Sequence, residues 1–586
     1  MEGPSVISDK RLRFDSFDSD KDPVFPDKKS RLPVMGWNSW NAFGSGNTEE
    51  LTKEMVRKIK ELGLDEYGYK YVVLDDGCYR PERVNDRLEA DPVKFPSGFN
   101  YMSDYVHGAG LKFGMYNDIG TRLCSGAEVG IYNHEKIDCE DYIKWNIDFI
   151  KVDNCYYMWD NATFSNTENA KYSFAPNIKS IYISGQTYSA VKDAEITGTC
   201  ARVEGDHVTF LGTFDGTAPD HSPIGLRSSE LVFEVEIDEP CEYEMVVCYS
   251  TGKEEGIGSW LQVAVGDEIV FDEMLPETES PEDFIDSPVI EFRPKPGFNR
   301  IRLMNHRRQE NTLNSYSEIR KELERFANGR DIVFSICEWG KTQPQNWGHI
   351  VGDSWRILND ITFQVGSDGN PGTASWECDY TTSITSQYNK AVIMDDFSGL
   401  DKGWNDPDML VIGMDGLTKT MCASHMAMWC MMNSPLMLGM DLRRVNKGDW
   451  IYNLITNEDL IALNQDPLGI QAKRVFTTFD CEDPSKTYIR DNNRVDILAK
   501  PLSGGDIAIG FFNLKMVDHN EKLSIPLDKI LDLIGSKMDI TKLKNASSFT
   551  VKDLFSKDIT DLNGNAISVD SIDACGCKVY RITPVT

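Results

Sequence analysis

The sequence predicts an α/β fold: a (β/α)8 TIM barrel that is interrupted by a β-rich insertion and followed by a second β-rich segment. Two parts of the chain alternate short β-rich runs with amphipathic helical patterns, which is typical of βα units in a parallel sheet. The part between them and the C-terminal part join short strands through turn residues, which is typical of β-sandwiches. The predicted domains are a discontinuous barrel (1–157 and 313–473), an inserted jelly-roll-like β-sandwich after strand four (158–312) and a C-terminal antiparallel β-sandwich (474–586).

The first four predicted barrel strands end in polar residues. The runs VMGWNSW, YKYVVLDDG, LKFGMYND and DFIKVDN end in Trp40, the pair Asp75 and Asp76, Asp118 and Asp153. Helical segments such as TEELTKEMVRKIKELG separate them, and the runs IVFSICEW, SWRILND, WNDPDMLVIG and SPLMLGMDL bring the strand count to eight. Because barrel active sites lie at the C-terminal ends of the strands, this pattern predicts the active site there.

Composition and charge exclude several classes of partner. The net charge is −32, and the calculated pI of about 4.7 disfavours nucleic acid and anionic membranes. The N-terminal residues lack an apolar signal region, and no run is apolar enough to cross a bilayer. We therefore expect a cytoplasmic protein, or a secreted one if a signal was removed, with a neutral substrate and neither nucleic acid nor membrane as partner.

The cysteines and acidic runs indicate no cofactor. The 14 cysteines are spread along the chain, and several lie in apolar runs such as MAMWCMMNSP, which favours buried thiols over a dense disulfide framework. The acidic run DEMLPETESPEDFID lacks the spacing of a calcium loop. We predict no metal and no cofactor.

Eight motifs, in order along the chain, resemble glycoside hydrolase family 27, the α-galactosidase type. They are MGWNSWNAFG, VLDDG, GMYNDIG, IKVDNC, SICEWG, SWRILNDI, WNDPDMLVIG and NQDPLG. The similarity runs through both barrel segments and continues less distinctly into the C-terminal segment. It implies a retaining exo-glycosidase that removes terminal, non-reducing α-D-galactose from an oligosaccharide or glycan by double displacement.

The resemblance implies that Asp153 in KVDNC is the nucleophile and that Asp360 in WRILND is the acid/base. Retention requires two carboxyl groups about 5 to 5.5 Å apart. The apolar run FIKV would hold Asp153 rigidly, and Lys151 on the same side would keep it ionised. The charge of Asp153 would favour the protonated form of Asp360. Without its neighbouring motifs, a strand-end aspartate is equally compatible with a helix N-cap or a salt bridge.

Further positions that match the family form a predicted sugar-binding site. By resemblance, Trp40 stacks on the apolar face of the ring, and Asp75 and Asp76 accept hydrogen bonds from the 4- and 6-hydroxyls. Cys124 and Cys155 match a pair that is disulfide-bonded in relatives, although only their proximity is predicted for this chain. The other matching positions are Tyr116, Lys151, Glu338, Trp339, Arg356 and Asp408.

Glu338 separates galactose from its closest alternative. Relatives that act on α-N-acetylgalactosamine carry a small residue at this position, and a glutamate would collide with the acetamide. A β-L-arabinopyranosidase would have no use for Asp75 and Asp76 as partners of a 6-hydroxyl, and no glucose-shaped pocket indicates an isomaltodextranase. The continuation CEWGKTQPQNWGH is closer to the plant and bacterial pattern than to the animal one, so the residues that contact the 2-hydroxyl are left open.

The predicted insertion resembles carbohydrate-binding modules of families 6 and 35 in the lines EPCEYEMVVCYSTG and GFNRIRLMNH. Two roles are equally compatible with its position after strand four: binding a distal part of a long substrate, or shaping the pocket mouth or a subunit contact. A non-catalytic glycan-binding protein is the alternative of another class, and the presence of both Asp153 and Asp360 disfavours it. The sequence leaves open whether the chain forms a homo-oligomer.

Overall fold

A computed structural model describes residues 29–156, 175–198, 201–209, 211, 229–251, 259–305, 307–378, 382–537, 539–562 and 564–585. The first part of the barrel contains β1 (Met35–Asn38), β2 (Tyr71–Val73), β3 (Lys112–Asp118) and β4 (Phe149–Asp153), with α1 (Ser39–Phe43), α2 (Glu49–Leu62), α3 (Gly98–Gly108) and α4 (Glu135–Lys144) between them. None of the helices in the described ranges is both long and apolar enough for a transmembrane span.

Helix α2 illustrates how the sequence sets these boundaries. The side chain of Thr48 caps the first turn by accepting from the backbone N–H of Leu51, and Gly63 ends the helix at φ 70°. The apolar residues between them recur at helical spacing and are buried against the barrel. The predicted helix in TEELTKEMVRKIKELG is confirmed.

The insertion folds as two antiparallel sheets around its own hydrophobic core. One sheet has the order β13-β12-β16-β10-β7, and the other has the path β14-β11-β5-β9-β8 with β15 and β6 at its side. Its strands are β5 (Asn177–Ile183), β6 (Gln186–Ser189), β7 (Ala194–Thr197), β8 (Arg202–Glu204), β9 (His207–Thr209), β10 (Glu230–Ile237), β11 (Tyr243–Ser250), β12 (Ser259–Val265), β13 (Glu268–Leu275), β14 (Ile285–Asp286), β15 (Ile290–Phe292) and β16 (Gly297–Met304). Side chains such as Phe233, Val247 and Ile301 fill the space between the sheets.

The chain then returns to the barrel. This part contains α5 (Arg307–Ala327), β17 (Val333–Cys337), β18 (Ser354–Arg356), β19 (Thr362–Gln364), β20 (Thr373–Ala374), α6 (Ile384–Ala391), β21 (Trp404–Asp406), α7 (Lys419–Met431), β22 (Leu436–Leu438), α8 (Trp450–Ile455) and α9 (Glu458–Asn464). Helix α5 begins six residues before the predicted return to the barrel at 313. Residues 158–174, where the predicted insertion starts, lie outside the described ranges.

Eight parallel strands form the barrel in the order β21-β18-β17-β4-β3-β2-β1-β22. The ring closes just after β21, where Leu410 forms a parallel bridge with Leu438 of β22. The N–H of Leu410 donates to Met437 O at 2.8 Å, and the N–H of Gly439 donates to Leu410 O at 2.9 Å. The predicted (β/α)8 barrel is confirmed.

The C-terminal region contains β23 (Lys473–Thr477), β24 (Val495–Pro501), β25 (Ile507–Asn513), β26 (Leu523–Pro526), α10 (Leu527–Ile534), α11 (Thr541–Lys544), β27 (Ser548–Asp553), β28 (Ile559–Asp561), β29 (Ala566–Val569) and β30 (Cys577–Val585). Its main sheet has the order β23-β24-β25-β30-β27-β28, and β26 pairs with β29. Alternate residues of β25 face opposite sides: Ile509 and Phe511 join a core of this region, whereas Ala508 and Phe512 join the core of the barrel.

Candidate active site

The side chain of Asp153 is enclosed at the C-terminal end of β4. Its Oδ1 accepts from the backbone N–H of Asn154 at 2.9 Å, and Lys151 Nζ lies 4.0 Å from its Oδ2. Burial raises the pKa of Asp153 to about 6; the positive charge of Lys151 opposes this shift, and the negative charges of Asp360 and Asp75 add to it. Above pH 6 the site therefore holds a rigid carboxylate with a neighbouring cation.

Asp360 lies past the end of β18 and is more open. Its Oδ1 accepts from Arg356 Nη2 at 3.0 Å, and its side chain is 37% exposed. Arg356 is itself buried, and its Nη1 lies 3.2 Å from Oδ1 of Asp408. One guanidinium thus connects the carboxylates of the sixth and seventh strands.

Asp408 has a backbone conformation that is unusual for an aspartate. Its φ is 74°, and three contacts hold it there besides Arg356. Its Oδ2 accepts from the N–H of Ile361 at 2.8 Å, its N–H donates to Asp406 at 2.9 Å, and its carbonyl accepts from Trp429 Nε1 at 2.7 Å. Burial raises the pKa of Asp408, and Arg356 opposes that shift.

Asp75 and Asp76 lie side by side after β2, as predicted, and both are buried. Oδ2 of Asp75 accepts from Asn38 Nδ2 at 2.7 Å and from Lys151 Nζ at 2.9 Å. Asp76 accepts from Ser125, through the backbone N–H at 2.6 Å and the hydroxyl at 2.8 Å. These contacts orient the two carboxylates, and burial raises the pKa of Asp76.

Three aromatic side chains accompany the charged residues. Trp40 is half-buried in the short helix after β1 and packs against a small cluster of barrel side chains that includes Tyr71 and Met437. Tyr116 is buried, and the centre of its ring lies 5.2 Å from Lys151 Nζ. Trp339, at φ 58°, is the only half-buried residue of the CEWG motif.

Cys124 and Cys155 form a disulfide in the structure, with their Cα atoms 5.2 Å apart. The hydroxyl of Tyr116 lies 3.1 Å from Cys124 Sγ. The sequence predicted only their proximity, and the structure adds the bond. Asp118, Cys124, Asp153 and Cys155 bring ligand atoms within 4.8 Å of one another, but the disulfide leaves no thiolate for a metal.

Glu338 is fully buried at the end of β17, and its own loop holds it. Oε2 accepts from the N–H of Thr342 at 2.8 Å and from its hydroxyl at 2.7 Å. The turn between them requires Gly340, which has φ 78°, because a Cβ there would lie 2.1 Å from Ile357 O. The predicted collision of Glu338 with an acetamide is not tested by these contacts and stays a prediction.

Four residues near the two carboxylates were given no role in the predicted site, although Asp118 was among the polar residues expected at the strand ends. Cys337 Sγ lies 3.6 Å from Arg356 Nη1, and Asp406 pairs in register with Arg356 on the adjacent strand. Burial raises the pKa of Asp406 to about 6. Asp118 and Lys341 contact the segment that follows Asp153. All four lie within or directly beside the quoted motifs GMYNDIG, SICEWG and WNDPDMLVIG. Proximity to these motifs was the sequence feature that could have indicated them.

The structure is a closed (β/α)8 barrel with carboxyl groups at the ends of its fourth and sixth strands, among further buried acids and aromatic rings. This arrangement suits a glycoside hydrolase. The profile of the family described as α-galactosidase A matches residues 32–188 and 302–466, and that of the α-galactosidase C-terminal β-sandwich domain matches residues 492–582. The chain belongs to the α-galactosidase A family, which is glycoside hydrolase family 27, a family of retaining glycosidases.

Individual relatives agree with this assignment. The α-galactosidase of Cyamopsis tetragonoloba is 25% identical over 94% of this chain and 87% of the relative. The solved structure of the Saccharomyces cerevisiae α-galactosidase with raffinose has a TM-score of 0.59 at 20% identity, covering 96% of this chain and 100% of that one. A β-L-arabinopyranosidase of Geobacillus stearothermophilus has a TM-score of 0.55 at 16% identity, covering 95% and 97%. The structural likenesses show the fold, which both kinds of enzyme share.

Proposed function

We propose that this α-galactosidase releases terminal, non-reducing α-D-galactose by double displacement, with Asp153 as nucleophile and Asp360 as acid/base. The observation that carries the proposal is the difference between the two carboxylates. Asp153 is enclosed and lies 4.0 Å from a lysine, whereas Asp360 is partly exposed and held by one arginine. A nucleophile needs a fixed position, and an acid/base needs access to the leaving group and to water.

In the first step, a carboxylate oxygen of Asp153 forms a bond to the anomeric carbon while the glycosidic C–O bond breaks. Oδ1 already accepts a hydrogen bond from Asn154, so Oδ2, on the side of Lys151, is the favoured attacking atom. The leaving oxygen takes the proton of Asp360. The products are the released aglycone and a galactosyl ester of Asp153.

In the second step, Asp360 accepts a proton from a water molecule that attacks the anomeric carbon. The ester bond to Asp153 breaks, galactose leaves with its original anomeric configuration, and both carboxyl groups return to their starting states. Arg356 contacts both Asp360 and Asp408, and is well placed to keep Asp360 near the bond in both steps.

Recognition of galactose is assigned to the residues around these two. Asp75 and Asp76 are buried acceptors that suit the 4- and 6-hydroxyls, and a ligand without these hydroxyls would lose its hydrogen bonds to them. Trp40 offers a ring for the apolar face of the sugar. A neutral oligosaccharide such as raffinose, which is bound in the yeast relative, fits a chain of net charge −32.

A hydrolysis panel tests the proposal. The chain is expected to cleave an aryl α-galactoside and raffinose, with α-galactose as the first product seen by NMR, and to leave α-N-acetylgalactosaminide and β-L-arabinopyranoside largely intact. Preference for either of the last two would identify an alternative enzyme of the same scaffold. Binding without turnover of any substrate would instead identify a glycan-binding protein.

Two further predictions concern the whole protein. The cytoplasmic location stays a prediction, and the Cys124–Cys155 disulfide is of a kind more usual in oxidising compartments. Cell fractionation, combined with thiol labelling of the intact protein, would decide between the compartments. Light scattering would decide whether the chain is a homo-oligomer.

A further inference from the structure

Two buried charged side chains contact the segment 153–155 and have no part in the proposed mechanism. Asp118, at the end of β3, is 0% exposed, and Lys341, in the loop after β17, is 2% exposed. Asp118 lies in β3 and Lys341 in the loop after β17, and these two strands flank β4 in the barrel. The nucleophile and the two residues after it therefore lie between them.

Asp118 holds the segment from the side of β3. Its Oδ2 accepts from the N–H of Cys155 at 2.6 Å, and its Oδ1 accepts from the N–H of Gly120 at 2.7 Å. In the sheet, Asp118 pairs directly with Asp153, and the N–H of Ile119 donates to Asp153 O at 2.9 Å. One carboxylate thus ties the chain after the nucleophile to the neighbouring loop.

Lys341 holds the segment from the side of β17. Its ammonium group donates to the carbonyl of Asn154 and lies 4.5 Å from the centre of the Trp339 ring. The strand before this loop ends at Cys337, which pairs in register with Asp153. The two charged side chains therefore hold the same peptide group, the one between Asn154 and Cys155, with Asp118 on its N–H and Lys341 on its carbonyl oxygen.

The free-energy cost of burying the charged side chains of Asp118 and Lys341 must be offset by other interactions. An isolated charge in a protein interior is strongly unfavourable. Neutral side chains could form as many hydrogen bonds at these two positions without that cost. Burial and the negative charge of Asp153 raise the pKa of Asp118 to about 7, and Lys341 opposes this shift. Above pH 7, where Asp118 is ionised, its carboxylate and the Lys341 ammonium group each make charge-assisted hydrogen bonds, which are shorter and stronger than neutral ones.

We propose that Asp118 and Lys341 are positioning residues that clamp segment 153–155 from both sides and so hold the Asp153 carboxylate in line with the anomeric carbon. The inference rests on the proposed role of Asp153 as nucleophile. A displacement of about 1 Å in a reacting group can lower the rate about 100-fold, so a loosened segment would slow attack without a comparable loss of binding.

The test measures the attack step alone, in the full-length protein. A trinitrophenyl difluoro-galactoside reacts in one step: Asp153 forms a bond to the anomeric carbon, and the electron pair of the broken C–O bond leaves with trinitrophenolate. This leaving group needs no proton from Asp360, and the trapped ester is counted by intact-protein mass spectrometry. Lys341→Met and Asp118→Asn are each expected to lower the labelling rate and kcat about 10- to 100-fold, with KM within about 3-fold of wild type.

Matched variants separate positioning from general loss of stability. Lys500→Met removes a buried lysine that donates to Asn433 and Ile470 O at the C-terminal sheet, and Asp138→Asn removes a buried aspartate paired with Arg83. Both are expected to lower Tm and to label at the wild-type rate. Lys341→Arg keeps a charged donor and is expected to retain more activity than Lys341→Met.

Wild-type labelling rates in folded Lys341→Met and Asp118→Asn would overturn the clamp while leaving the proposed function intact. If Lys341→Met does not fold, Asp118→Asn carries the test, because it keeps the size of the side chain, and a wild-type labelling rate in that variant would overturn the clamp. A wild-type protein that hydrolyses no α-galactoside and acquires no label would overturn the proposed function, and the clamp with it.

Discussion

The carboxylates of Asp153, at the end of β4, and Asp360, after β18, are held in different ways. The side chain of Asp153 is 5% exposed, and residues from β3, β4, the loop after β17 and α5 surround its backbone; Tyr316 of α5 lies 3.1 Å from Val152 O. The side chain of Asp360 is 37% exposed and has Arg356 as its charged partner. The difference matches two tasks: attack requires a fixed carboxylate, and proton exchange requires a reachable one.

Loss of the enclosed carboxylate should have the largest effect. Asp153→Ala is expected to lower kcat about 10⁴-fold or more on an aryl α-galactoside, because the covalent route loses its attacking atom. Azide should restore part of the rate and give a product of inverted configuration, which NMR distinguishes. Asp138→Asn, which alters an equally buried aspartate, should keep its activity; wild-type turnover by Asp153→Ala would remove this residue from the mechanism.

Loss of the open carboxylate should be milder and should depend on the leaving group. Asp360→Ala is expected to lower kcat/KM about 10²- to 10⁴-fold on raffinose, whose leaving group needs a proton, and much less for the first step with a dinitrophenyl galactoside. Parallel steady-state and burst kinetics on the two substrates measure this contrast. An equal loss on both would contradict the role of Asp360 as acid.

The dependence of kcat/KM on pH should report the ionisation of Asp153. Since the pKa of Asp153 is raised to about 6, and only its ionised form attacks, kcat/KM is expected to fall about tenfold per unit as the pH drops below 6. Lys151 opposes the shift, so Lys151→Met should raise the pKa of Asp153 and move this acid limb to higher pH. An acid limb that stays in place in Lys151→Met would assign it to another group.

Specificity should change less than catalysis. Glu338→Ser is expected to open space beside the 2-hydroxyl and raise the ratio of α-N-acetylgalactosaminide to galactoside kcat/KM about tenfold, with a loss on galactosides. Oε2 of Glu338 also accepts a hydrogen bond from the hydroxyl of Thr342. Thr342→Val removes that hydrogen bond and keeps Glu338, so it is the control for a disturbed loop. A ratio that moves equally in both variants would show that loop disorder, not space, is responsible.

Removal of the insertion should have the smallest effect. Replacing residues 160–305 with a short linker is expected to change aryl galactoside turnover less than about 3-fold, because its two sheets enclose a core of their own. Weaker turnover of longer oligosaccharides alone would indicate a distal substrate site, and a change of mass in light scattering would indicate a subunit contact. Unchanged values in both measurements would contradict both roles.

The barrel could be predicted strand by strand because each apolar run ends in polar residues of a recognisable motif. The start of α5 could not be predicted, because its first residues, RRQEN, lack apolar spacing. The state of Cys124 and Cys155 depends on redox conditions, which residue spacing does not encode. The contacts of Asp118 and Lys341 depend on how two loops fold against a third, which no single motif contains.

The alternating sides of β25 bear on how this enzyme can be divided. Ala508 and Phe512, with Leu498 and Val579 from the neighbouring strands, belong to the same hydrophobic core as the barrel, and the hydroxyl of Ser424 in α7 donates to Cys575 O at 2.7 Å. A chain shortened to its catalytic barrel would lose these residues, and the apolar barrel side chains that pack against them would be exposed to water. A smaller enzyme should therefore be sought by removing the insertion and keeping the C-terminal sheet, because that sheet shares its hydrophobic core with the barrel.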